Sequence, residues 1–138
     1  MISFTHFFVY LLLVVLYVSW DVFNFTVTGK TLYSACYRGI TNHFAAAAIY
    51  LLDPAAIMIL TLAPSWHETA LKGMVLGLTG YGLYHFTNMA TLTQWPVDTG
   101  ATTKSWPWKI TTVDMLLGAS ITIILSLVNR ELQIKNFV

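Results

Sequence analysis

Four long apolar runs separated by shorter polar stretches organise the chain, at residues 4–24, 44–63, 70–92 and 111–128. Within each run the apolar positions are continuous rather than alternating, which predicts helices rather than half-buried strands. A helix needs about 20 mostly apolar residues to cross a bilayer, and each run meets or approaches that length. Only helices and closed barrels satisfy every backbone polar group in lipid, and these runs are too few and too uniform for a barrel. The pattern therefore predicts an all-α membrane protein: a four-transmembrane-helix bundle with short loops, forming a single membrane domain over residues 1–138. The first run has no Lys or Arg ahead of it and is longer than a signal-peptide core. No small-x-small cleavage site follows, so it is expected to stay as a helix.

The stretch from Leu92 to Ile110 is rich in Thr, Gly, Pro and Trp, which predicts a turn-like loop. Trp20, Trp66, Trp95, Trp106 and Trp108 lie near or between the ends of the runs. Amphipathic rings are favoured in the headgroup layer, so all five are expected to act as interfacial anchors.

Composition removes the competing classes. Of 138 residues, 57% are hydrophobic and 9% are charged, against about 25% charged in an ordinary soluble domain. Mean hydropathy is +0.67. A soluble domain of this size could not cover its surface with so few polar residues. Seven basic against six acidic residues give a net charge of +1, without the basic excess of a nucleic-acid binder. The expected partners are membrane lipids, together with other membrane proteins or a second copy of the chain. The single cysteine, Cys36, excludes an internal disulfide. Positive charge does not orient the bundle. Lys72, Arg130 and Lys135 fall on one predicted side, and Lys30, Arg38, Lys104 and Lys109 on the other.

Polar residues inside the runs narrow the picture further, because an ionisable side chain in a membrane span is a functional-site hypothesis by default. In the third run Gly73, Gly77, Gly80 and Tyr84 share one helical face, and Tyr81, His85 and Asn88 continue it. Gly73-x-x-x-Gly77 invites close helix packing, and Gly118 repeats the small-residue feature in the fourth run. That run places Thr111, Asp114, Gly118, Thr122 and Asn129 on one face. If the two helices run antiparallel, Asp114 lies at the depth of the third helix's polar end, within reach of Tyr84, His85 or Asn88. Two readings stand for this polar cluster of Tyr81, Tyr84, His85, Asn88 and Asp114. One is interhelical hydrogen bonding that fixes the bundle, and the other is a proton or ion pathway. Asp53-Pro54 has the form of a helix start, cap then first residue, so a kink or break of the helix is expected there in mid-run, either a proline kink capped by the aspartate or a discontinuous helix lining a binding site. Asp21, beside Trp20 and Asn24, is expected to reach headgroup water.

The run Tyr81-Gly-Leu-Tyr84-His85-Phe-Thr-Asn88-Met-Ala90-Thr91-Leu92, the following Trp-Pro pairs and Val113-Asp114 together resemble DUF2177. That is a family of small membrane proteins with no assigned activity. The resemblance extends to Asp21 and Tyr33 and covers nearly the whole chain. His85 stands where the family usually has aspartate, Asn24 and Leu117 stand where it has tryptophan, and the stretch between the third and fourth runs is longer. The resemblance implies the fold and leaves the activity open.

No catalytic residue, cofactor or metal is expected. His67-Glu68 opens like a zinc-protease motif, but Leu71 occupies the second histidine's place, and phosphate-loop and nucleophile-elbow patterns are missing. The sequence therefore favours a non-enzymatic structural or accessory subunit of a membrane assembly. The alternative is a carrier or channel for a proton, ion or small amphiphile, lined by intramembrane Asp, His and Asn. A lipid-modifying enzyme ranks third. A cavity reaching the polar residues separates the carrier from a bundle packed shut.

Overall fold

The computed structural model describes residues 4–27, 43–91, 95–96, 102–103 and 108–136. Four helices account for nearly all of them: α1 (Phe4–Val27), α2 (His43–Leu60), α3 (Trp66–Thr91) and α4 (Trp108–Asn136). Between α3 and α4, two-residue strands β1 (Trp95–Pro96) and β2 (Thr102–Thr103) pair antiparallel, Trp95 with Thr103 and Pro96 with Thr102. The fold is an all-α bundle with this one short ladder among the described residues.

Helix ends follow local chemistry more than hydropathy. α3 starts at Trp66, ahead of its apolar run, because Ser65-x-x-Glu68 forms a capping-box start. The Ser65 hydroxyl accepts the Glu68 N–H at 3.1 Å, and the Ser65 carbonyl accepts the Thr69 N–H at 3.0 Å. α2 stops at Leu60, where the Thr61 hydroxyl donates back to the Ile57 carbonyl at 2.6 Å. α4 continues to Asn136 through a polar last third.

α2 runs unbroken through Asp53-Pro54, which corrects the expected break. Proline removes one backbone donor and crowds the preceding turn. Membrane helices tolerate this when neighbours take up the freed groups. The carbonyl that loses its donor to Pro54 is that of Tyr50, four residues back; next to it, the Tyr10 hydroxyl of α1 donates to the Leu51 carbonyl at 3.0 Å. Asp53 caps nothing; its carboxylate turns toward α1.

α4 lies against all three other helices, and its interface with α3 is by far the largest. Small residues make that closeness possible. A Cβ at Gly73 would come within 2.7 Å of the Ser126 hydroxyl, and one at Gly77 within 2.7 Å of the Ala119 Cα. Gly118 is roofed by the Tyr81 ring. Gly80 does not share this role: among the described residues nothing lies within 4 Å of where its Cβ would stand, so its assignment to helix packing is corrected to an open position. Thr122 and Ser126 donate to carbonyls one turn back on α4, at 2.7 and 2.6 Å. Self-bonding of this kind lets the hydroxyls face a tight interface without a partner on α3.

The apolar core joins Val9, Leu13 and Tyr17 of α1, Ile57 of α2, and Ile121 and Leu125 of α4. The remaining faces are apolar and uncovered: Phe4, Phe8, Leu12, Val15 and Phe23 on α1, and Ile49, Leu52 and Ile59 on α2, are all exposed. Phe4–Asn24 and Trp108–Lys135 are each long and apolar enough to cross a membrane, and Ala47–Leu60 is a shorter apolar helix. Only 17% of the α1 window is buried, which is the opposite of a core helix in a soluble protein and fits lipid as the covering medium.

Candidate functional site

All four helices contribute to a half-enclosed cavity of about 440 Å³. α1 supplies Tyr17, Trp20, Asp21 and Asn24, spaced to form one stripe. α2 supplies Ile49 and Asp53, α3 supplies Gly80, Tyr81 and Tyr84, and α4 supplies Asp114, Leu117 and Gly118. Three carboxylates from three helices thus border one space whose walls are otherwise aromatic and aliphatic.

Each carboxylate has a neighbour that fixes it. Asp53 Oδ2 accepts the Tyr17 hydroxyl at 2.5 Å, and the Tyr17 and Tyr81 hydroxyl oxygens lie 2.9 Å apart. That chain ties α2, α1 and α3 together at one level. Asp21 Oδ2 accepts the Tyr50 hydroxyl at 2.8 Å, linking α1 to α2. Asp114 Oδ2 lies 2.9 Å from His85 Nε2, linking α4 to α3, with His85 fully buried. Among the described residues no group of three or more His, Cys, Asp or Glu has the geometry to hold a metal ion. The aspartates share a cavity without converging on a point.

The polar cluster expected on α3 and α4 is divided between several jobs. Asp114 meets His85. Tyr81 bridges to Tyr17 and covers Gly118. Tyr84 is half-exposed at the cavity wall, and Asn88, also half-buried, is not part of the lining. Replacing Asp114 by leucine removes an acceptor from a buried ring and should destabilise the bundle by about 1–3 kcal/mol. Asp114→Asn keeps a hydrogen-bonding shape and should cost clearly less. Thermal unfolding in detergent checks this, and equal losses for the two variants would refute the pairing's importance.

The tryptophans also divide. Trp20 packs against the core and lines the cavity, on the same face as Tyr17 and Asp21. Trp66 is half-exposed with the Arg130 guanidinium 5.2 Å from its ring centroid, and Trp108 is exposed beside Phe86. Trp106, like Tyr33, Lys30, Arg38 and Lys104, lies outside the described residues, as does the side chain of Trp95.

Sequence reasoning missed Tyr17 and Tyr50, and it placed Asp21 in headgroup water. The signal was available: Tyr17, Asp21 and Asn24 repeat at i, i+4 and i+7, the spacing already used for α3 and α4.

The model of the DUF2177 family, described as a predicted membrane protein, matches residues 6–130. The chain belongs to this family. The match takes in every cavity-lining residue, from Tyr17 to Gly118. Neither a curated protein nor a solved structure matches the chain.

Proposed function

We propose that this DUF2177 member is a multi-pass membrane carrier that binds a small amphiphile between four membrane-crossing helices. The observation that supports the reading is the cavity. At about 440 Å³ it falls within the roughly 300–1,000 Å³ typical of small-molecule sites, which are mainly apolar with a few placed polar groups. A purely structural bundle gains nothing from such a void, since unfilled space forfeits packing energy. Nor does it gain from carboxylates held beside that void, since buried charge is costly. An accessory-subunit role leaves both features without a purpose, whereas a carrier uses both. The uncovered apolar faces of α1 and α2 are accounted for by lipid.

Gly80 provides the test, because its Cβ position is open space on the cavity wall. A leucine there projects into the cavity and takes up part of its volume. Native mass spectrometry of protein extracted in lipid nanodiscs should show a small molecule bound one-to-one to the wild-type chain and missing from Gly80→Leu. Bare protein in both samples, or the same adduct in both, would overturn the reading.

A further inference from the structure

Resting on that reading, we infer that the cavity takes a hydrophobic organic cation: an ammonium-type head on an apolar body. The carboxylates alone would not define a ligand. The cavity does, through its volume, the open space at Gly80, and walls made of Tyr17, Trp20, Tyr81 and Tyr84. The faces of tyrosine and tryptophan rings attract cations, most strongly where water is excluded. Among the described residues the same space is bordered by three aspartates and by no lysine or arginine. Asp21 and Asp53 each accept a hydrogen bond from a neutral tyrosine hydroxyl, and each carboxylate retains further acceptor capacity. Of the three carboxylates, Asp114 pairs with His85, and among the described residues the lining offers Asp21 and Asp53 no Lys or Arg. An anionic guest would meet carboxylates and no cation. A neutral guest without donors would leave the remaining carboxylate acceptors unsatisfied. A cation offsets their charge, and Ile49 and Leu117 offer apolar wall for the rest of the molecule.

The test uses three probes of similar shape with the full-length protein in phosphatidylcholine nanodiscs, by equilibrium dialysis against empty nanodiscs. Phenyltrimethylammonium is the cation, tert-butylbenzene its neutral isostere, and benzenesulfonate the anion. The cation should bind saturably, one per chain, and roughly tenfold or more tighter than the neutral isostere. Gly80→Leu should abolish saturable binding, and Asp53→Asn should weaken the cation by roughly tenfold while leaving the neutral probe unchanged. If the neutral or anionic probe binds as well as the cation and Gly80→Leu removes it, the cavity is a ligand site and the cationic class is wrong. If no probe saturates, the cationic class is again wrong, and the carrier reading stands or falls with its mass spectrometry. The wild-type comparison of isosteres decides the class even if Asp53→Asn fails to fold.

Discussion

Gly77→Leu should be among the most damaging single substitutions in the chain, and Gly80→Leu, three residues on along the same helix, among the most benign for stability. At Gly77 even a Cβ would stand 2.7 Å from the Ala119 Cα and 2.8 Å from the Gly118 carbonyl oxygen. Both neighbours are α4 backbone, which cannot rotate away as a side chain can. The helices must move apart, and the contacts flanking Gly77 loosen together: Gly73 on Thr122 and Ser126, and Tyr81 on Gly118. Overpacking typically costs about 1–3 kcal/mol, occasionally more. A leucine against backbone belongs at or above the upper end. At Gly80 the same side chain enters a void and gains contacts. Thermal unfolding in detergent, followed by helical circular dichroism, should show a large fall for Gly77→Leu and little or none for Gly80→Leu. Similar falls for both would mean that the α3–α4 contact is not as close as described.

That contrast also shows what the sequence could and could not reveal. Hydropathy located the four helices, because lipid demands long apolar runs and little else produces them. The polar stripes on α3 and α4 led to the Asp114–His85 pairing, because depth in an antiparallel pair is fixed by distance from the connecting loop. Gly73, Gly77 and Gly80 looked equivalent, since helical spacing gives a face but not what stands opposite it. Only the placement of α1 and α2 shows that Gly80 meets a cavity. Asp53 was read through its neighbour Pro54 as a cap, whereas its partner, Tyr17, is 36 residues away on another helix. Local signals reach one turn, and a site assembled from four helices is written in pairs that no local spacing joins. Asp21 was assigned to headgroup water because it sits near the end of an apolar run, yet α1 continues to Val27 and turns it toward Tyr50.

Arg130 carries the second large effect, at the opposite end of the bundle from the Asp114–His85 pair. In the sequence it is one basic residue near the end of an apolar run, useful only for orienting the chain. In the structure it is buried, with 8% of its surface exposed. α2 ends at Leu60, and a chain leaving a helix carries carbonyls without intrahelical partners. The Arg130 guanidinium meets two carbonyls of the following turn, with Nε to the Ala63 oxygen at 3.2 Å and Nη2 to the Pro64 oxygen at 2.5 Å. Nη1 reaches Glu131 at 3.1 Å, and the group sits over the Trp66 ring. Asn129 adds a bond to the Met58 carbonyl at 3.3 Å and is itself held by Gln133 at 2.7 Å. The last third of α4 thus ties down the α2–α3 connection. Hydrogen bonds to charged groups contribute about 1.5–3 kcal/mol each, so Arg130→Ala, which removes the guanidinium from the Pro64 carbonyl and leaves the Ala63 carbonyl with the Thr69 hydroxyl at 3.3 Å, should cost about 3–5 kcal/mol. Arg130→Lys should recover less than half, because a point-like ammonium on a flexible stem cannot reproduce the planar fork. Lys135→Ala should change stability by less than about 0.5 kcal/mol, since its pairing with Glu131 is exposed. Unfolding in detergent measures all three, and limited proteolysis should show residues 61–65 cut faster in Arg130→Ala. Resistance of that turn to cleavage, with stability near wild type, would show that Arg130 does not anchor it.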